Sequence, residues 1–231
     1  MYAMTNSTGT AARAPMAMRL QAVSAAATPA DPLDRMGAAV KCEKNRTIYF
    51  EGDAAEHCYR VKSGTVRLCK VTEDGRRQIA AFLTEGDLFG WTDQGFYGFS
   101  AEAVTDATLE KFSRARVEEA AKANPALGRR VLALLSTQLA SAHDHLLLLG
   151  RMTAAERIAN FLLELVRRQR ATGNIALPMS RKDVADYLGL TVETVSRTMS
   201  TLKRKGIIDF DEPESVDLKR GDALERLAMA A

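Results

Sequence analysis

Residues 180–205 constrain this chain more than any other stretch. Ser180-Arg181-Lys182-Asp183 is a capping box: the serine hydroxyl can take the amide three residues on, and the aspartate can reach back to the serine amide. The short helix it opens has Val184, Ala185 and Leu188 on its apolar side. Gly189 ends that helix where the backbone needs a positive φ. Leu190 can plug a core, and Thr191 can cap a second helix from Val192 to about Lys205. A helix, a tight glycine turn and a second helix make a helix-turn-helix.

The second helix has two faces. Val195, Met199 and Leu202 step by 4 and 3 and should face a core, leaving Glu193, Ser196, Arg197 and Ser200 opposite. In DNA-binding versions of the motif, the N-terminal part of this helix enters the major groove. Arg197 can donate two hydrogen bonds to guanine, and Ser196 is small enough for close approach. Glu193 is unfavourable near phosphates unless a cytosine amino group donates to it. Base reading is therefore expected from Glu193, Ser196 and Arg197, and phosphate binding from Arg181, Thr191, Thr194, Ser200 and Lys203. Between residues 180 and 206, six cations oppose three anions, whereas the whole chain carries only +3. The basic surplus is local, as a DNA footprint requires.

The flanking segments extend this module over residues 151–231. Thr153-Ala154-Ala155-Glu156 is a second capping box, and its helix should bury Ile158, Phe161, Leu162 and Leu165. Gly173 and Pro178 bracket a loop. Ile207–Phe210 and Ser215–Leu218 read as two strands of a wing, closed by a helix over Asp222–Ala228.

Residues 46–113 have a different grain. Short apolar stretches at Ile48–Phe50, Tyr59–Val61, Val66–Leu68, Ile79–Leu83 and Leu88–Phe89 alternate with turn signals. Glycines 52, 64, 75 and 86 recur at intervals of 12, 11 and 11 residues, the spacing of an antiparallel sandwich or roll. Asp74-Gly75 is the sharpest hairpin signal. Ahead of these strands, residues 31–45 read as a short helix, with Asp31 as N-cap and Pro32 at its first position.

Residues 115–150 read as helix. Leu127, Val131, Leu135, Leu139, Ala142, Leu146 and Leu149 step by 4, 4, 4, 3, 4 and 3, a coiled-coil-like stripe expected to be the seam of a homodimer. The competing reading packs this helix on its own domain.

Residues 1–30 show no periodicity and read as a disordered tail; an organelle-targeting peptide of similar composition is the alternative. No window approaches the roughly 18 apolar residues that span a bilayer, so no membrane partner is expected. Cys42, Cys58 and Cys69 are an odd, widely spaced set, which suits reduced thiols in the cytoplasm better than disulfides. The fold class is α+β, in four parts: tail 1–30, β-roll 31–114, dimerisation helix 115–150 and winged helix-turn-helix 151–231.

This order of modules resembles the CRP/FNR superfamily of bacterial regulators. The residues that carry the likeness are Phe50-Glu51-Gly52-Asp53, Ser63-Gly64-Thr65-Val66, Asp74-Gly75-Arg76, Gly86-Asp87-Leu88-Phe89-Gly90 and, above all, the run from Asp186 to Arg197. The resemblance implies a cyclic-nucleotide-binding-like roll, a homodimer on palindromic double-stranded DNA, and recruitment of RNA polymerase holoenzyme. Glu193, Ser196 and Arg197 look like the reading triplet of the FNR branch, whose sites are related to TTGAT-N4-ATCAA. By that likeness Arg197 reads the G, Glu193 the C–G pair opposite the reading strand, and Ser196 a neighbouring thymine.

The departures are informative. Cyclic-nucleotide binders of this superfamily place a glutamate soon after the Phe-Gly and an arginine about ten residues later. Here Gly90 is followed by Trp91-Thr92-Asp93, and no arginine falls between Arg77 and Arg114. A cyclic phosphate would lack its bidentate partner. Residues 1–41 contain no cysteine, and three thiols leave a four-thiolate iron–sulfur site one ligand short. The pattern most resembles FixK-type regulators, which implies an activator of low-oxygen or nitrogen-fixation genes with no cofactor and no small-molecule effector. A heme- or gas-sensing regulator, with axial ligands drawn from His57, Cys58 and Cys69, is the alternative. An enzyme is not expected: His143 and His145 fall two apart on a helix and cannot share a metal.

Overall fold

A computed structural model describes residues 32–229. The tail expected at 1–30 and the cap expected at Asp31 lie outside the described residues.

Eight strands build the N-terminal half: β1 (Ala38–Cys42), β2 (Thr47–Tyr49), β3 (His57–Ser63), β4 (Val66–Val71), β5 (Arg77–Leu83), β6 (Leu88–Phe89), β7 (Ser100–Ala103) and β8 (Ala107–Ser113). They form two antiparallel four-stranded sheets, ordered β1-β8-β3-β6 and β2-β7-β4-β5. The helix expected over 31–45 is corrected. Only Pro32–Arg35 coils, as a single 3-10 turn, and Ala38–Cys42 is strand. Val40 pairs with Leu109 and Cys42 with Ala107, and this long-range ladder overrides the helical leaning of Ala38 and Ala39.

The alternation along β3 and β8 sends Tyr59, Val61 and Leu109 into the space between the sheets. There Tyr49, Tyr97, Tyr59 and Phe89 fill the roll. Tyr49 stacks on Tyr97 with centroids 3.6 Å apart, and Tyr59 on Phe89 at 5.4 Å. The Tyr97 hydroxyl donates to the His57 carbonyl at 2.8 Å. Gly64 closes the β3–β4 turn at φ +87°, and a Cβ there would lie 2.4 Å from the Asp106 carbonyl oxygen, so only glycine fits.

Two helices follow where one stretch is expected: α1 (Arg114–Ala123) and α2 (Pro125–Arg151). Pro125 has no N–H to continue α1, and the Asn124 side chain accepts from Ala126 N at 3.0 Å to start α2 afresh. Val117, Leu127 and Val131 pack with Leu33, Cys58, Leu88 and Phe112 in a second core outside the roll.

The C-terminal module contains α3 (Ala154–Gln169), β9 (Asn174–Ala176), α4 (Arg181–Leu188), α5 (Val192–Arg204), β10 (Ile208–Asp209), β11 (Ser215–Leu218) and α6 (Gly221–Ala228). The loop expected between Gly173 and Pro178 holds strand β9, which pairs with β11 beside β10 to make a three-stranded sheet. Ile158, Phe161, Leu162 and Leu165 of α3 are buried against Val184, Leu188, Val195 and Leu202. Cys69, Ile79, Phe82 and Val104 from the roll join this core. No helix among the described residues is long and apolar enough to cross a membrane.

Candidate nucleic-acid interface

The two helices of the motif are capped as their sequence requires. Asp183 N meets Ser180 Oγ at 3.1 Å, and the Ser180 amide donates back to Asp183 Oδ2 at 3.2 Å. Gly189 takes φ +62° at the end of α4. The Leu190 amide then bonds Ala185 O at 3.0 Å, and Thr191 Oγ1 accepts from Thr194 N at 3.1 Å to start α5.

On α5, Val195, Met199 and Leu202 are buried at 0, 2 and 2% exposure. Glu193, Ser196, Arg197 and Ser200 are exposed on the opposite side. The structure thus brings the three expected base readers onto one free face in the first two turns. Among the described residues, no hydrogen bond or ion pair holds the Arg197 guanidinium. The Glu193 carboxyl is held below its ordinary range, first by a backbone amide, then by the Thr191 hydroxyl and the Arg197 charge. The Glu193 carboxyl is therefore charged at neutral pH, and the Arg197 guanidinium keeps its donors available to base edges.

The expected phosphate contacts fare unevenly. Thr191 and Thr194 face each other at 3.0 Å at the helix start, and Ser200 Oγ donates to Ser196 O at 2.9 Å. These hydroxyls keep acceptor capacity, and Thr191 and Ser200 are exposed. Arg181 is half-buried over the Phe210 ring, 5.3 Å from its centroid, and burial pushes its guanidinium below its ordinary range. Lys203 is exposed but engaged within the chain. Its ammonium is already taken by Asp209 at 2.8 Å and the Phe210 carbonyl at 2.6 Å, and it caps the Phe210 ring at 4.9 Å. It fastens the wing to α5. Lys182 and Lys205 are exposed as well, with no ion pair to hold them among the described residues, and sequence reasoning passed over them because neighbouring lysines look alike in a basic run.

The expected dimer seam is also revised. Leu127 and Val131 are 2 and 6% exposed inside the chain's own second core and have no surface to offer a partner. The solvent-facing stripe begins one position later. Leu132, Leu139 and Leu146 are 64, 58 and 65% exposed; with exposed Ala142, and with Leu135 and Leu149, which are half-buried against the chain's own cores, they step by 3, 4, 3, 4 and 3. That is a stricter heptad than the stripe read from sequence. Leu132 was missed because the first half of α2 is apolar on two sides.

Arg157 is a further unforeseen residue. It donates from Nε to Met152 O at 2.9 Å, from Nη1 to Leu188 O at 2.8 Å and from Nη2 to Leu149 O at 3.1 Å. One side chain thus gathers the C-terminal ends of α2 and α4, whose last carbonyls have no helical partners. Its acceptors are backbone atoms, so no residue pattern announces it.

The groups considered as heme ligands do not converge. Cys58 lies in the second core with its thiol pushed by burial to about 12, while Cys69 lies in the core shared with the C-terminal module. His57 alternates with Cys58 along β3 and points to the other face.

Comparison with known proteins agrees with this architecture. Residues 39–124 match the family model of the cyclic nucleotide-binding domain, and residues 156–227 that of the Crp-like helix-turn-helix domain. The chain is 43% identical to the nitrogen fixation regulation protein FixK of Azorhizobium caulinodans over 211 residues, covering 89% of this chain and 85% of that protein. It is 42% identical to FixK of Rhizobium meliloti, over 79% of this chain and 83% of that one. The solved structure of FixK2 from Bradyrhizobium japonicum superposes with a TM-score of 0.81 at 42% identity, covering 85% of this chain and 99% of that chain. These relatives are regulators rather than enzymes, and this chain is a FixK-like member of the CRP/FNR family of transcription regulators.

Proposed function

We propose that two copies of this chain join along the exposed stripe of α2 and bind a TTGAT-N4-ATCAA palindrome in the cytoplasm. The two α5 helices then sit about 34 Å apart and enter successive major grooves. Arg197 donates to the guanine of each half-site, Glu193 accepts from the cytosine amino group of the C–G pair, and Ser196 lies against a neighbouring thymine. Lys182, Lys205 and the exposed hydroxyls of Thr191 and Ser200 meet phosphates. The observation that carries this reading is the free face of α5, where Glu193, Ser196 and Arg197 project together opposite a fully buried Val195.

The bound dimer acts without a small effector, recruits RNA polymerase, and activates genes of low-oxygen respiration or nitrogen fixation. Two features of the roll support effector independence. Four aromatic rings occupy its interior, and no arginine between Arg77 and Arg114 is available to hold a cyclic phosphate. The names of the FixK relatives support the choice of genes.

Selection of sites from a random DNA pool by the untreated full-length protein tests the proposal. Enrichment of the five-base half-site as an inverted repeat is expected. Enrichment of no palindrome, or only after a nucleotide or heme is added, would reject it.

A further inference from the structure

The roll and the DNA-reading module meet through a buried ionic cluster that the reading of α5 leaves unused. Arg77 of β5 donates from Nε to Asp186 Oδ2 at 2.7 Å, and its Nη2 lies 2.5 Å from Asp183 Oδ1. Arg67 of β4 reaches Asp183 Oδ1 at 3.1 Å through Nη1, while its Nε bonds Glu102 Oε2 of β7 at 2.8 Å. Asp183 is only 4% exposed. Its two oxygens divide the work: Oδ2 holds the Ser180 cap that starts α4, and Oδ1 takes both guanidiniums. Beside the cluster, Phe82 of β5 packs on Tyr187 of α4 at 5.1 Å. Arg168 of α3 pairs with Asp87, just beyond β5, at 2.9 Å.

Such a cluster adds little net stability, because desolvation cancels most of the attraction between the charges. What it does impose is geometry, since a planar guanidinium satisfies two carboxylates from one position only. A greasy contact around Phe82 alone would let α4 slide. Because α4 and α5 share one core and are joined through Gly189 and Leu190, whatever fixes α4 fixes the face of α5.

We propose that Arg67 and Arg77 are positioning residues for DNA reading: from the roll they hold Asp183 and Asp186, and so set the angle at which α5 is presented. This rests on α5 being the base-reading helix. A dimer reads a palindrome only if both helices are presented at a fixed separation. The cluster therefore governs which spacing between half-sites is accepted, and not which bases are preferred within each.

The test is binding of full-length protein to duplexes whose half-sites are separated by three, four or five base pairs. The wild type should favour four by at least about tenfold. Arg77→Glu should weaken binding to that duplex at least about tenfold and bring the three spacings near equality, with half-site base preference unchanged. Reversal of the pair in Arg77→Glu with Asp186→Arg should restore part of the spacing preference, because the new carboxylate at position 77 still faces Asp183. Arg77→Gln serves as the milder variant, and circular dichroism monitors folding. If the wild type binds its palindrome while Arg77→Glu and Arg77→Gln keep its affinity and spacing preference, the proposal is overturned. A uniform loss at all spacings that tracks loss of folded protein also overturns it, as a purely structural role. A wild type that ignores the palindrome would instead overturn the reading of α5 itself.

Discussion

His145 of α2 lies flat on Tyr187 of α4, with ring centroids 4.1 Å apart and planes 13° from parallel. Among the described residues, neither imidazole nitrogen has a hydrogen-bond partner. Burial lowers the affinity of His145 for a proton, Glu164 pulls the other way and Arg157 adds to the lowering; burial prevails. The folded state therefore binds this proton less readily than the unfolded chain, whose imidazole titrates near 6.5. Stability from this site is complete above that value and declines as pH falls through it.

Thermal melts between about pH 8 and pH 5 should therefore lose stability on acidification. His145→Phe, which keeps a ring on Tyr187 without a titrating nitrogen, should flatten that part of the profile. An unchanged slope in the variant would mean that His145 is not the titrating group.

Arg157 binds three carbonyls at the junction of α2, α3 and α4. Arg157→Ala leaves those acceptors without their charged donor, and roughly 2 kcal/mol or more of stability should be lost in chemical denaturation. Arg157→Lys should recover only part of it, since one ammonium cannot span three divergent carbonyls.

Substitutions on α2 should separate its two faces. Leu139→Asp and Leu146→Asp place a charge on the exposed stripe, so light scattering should report monomers with native helix content. Leu127→Ala empties a site that is 2% exposed, and should cost about 2–5 kcal/mol of folding stability with the association state retained in the folded fraction.

Cyclic AMP should not raise the melting temperature. A ligand that binds only the folded state at 100 times its Kd would stabilise by about 2.7 kcal/mol. Tyr49 and Tyr97 stack inside the roll, and no arginine between Arg77 and Arg114 is there to pair with the phosphate. A rise of several degrees at millimolar cyclic AMP would contradict that account.

Much of this molecule was legible in its sequence because the informative contacts are local. The Ser180 box, the positive φ of Gly189 and the 4,3 spacing of Val195, Met199 and Leu202 involve residues within a few positions of one another, and all take the expected form. The readable turns of the roll are local in the same sense. What escaped is long-range. Ala38–Cys42 is a strand only because β8, some 70 residues on, offers it a ladder. Asn174–Ala176 is a strand only because Ser215–Asp217 lies beside it. Within α2, apolar spacing alone did not separate the side that meets its own domain from the side that meets solvent. The partners of Lys203, Asp209 and the Phe210 carbonyl, were not legible because they become its neighbours only when the wing folds back. The Arg67–Arg77–Asp183–Asp186 cluster spans more than 100 residues of sequence, and no spacing rule could have joined it.

The central claim is that the exposed Arg197 guanidinium reads a guanine. Quantitative binding of wild type and Arg197→Ala to the TTGAT-N4-ATCAA duplex, and to one with the guanine pair of each half-site replaced, tests it most directly. The wild type should lose about 1–3 kcal/mol for each replaced pair, while Arg197→Ala binds both duplexes with equal, weak affinity. If the variant still distinguishes the two duplexes as the wild type does, Arg197 is not the reader and the account is wrong.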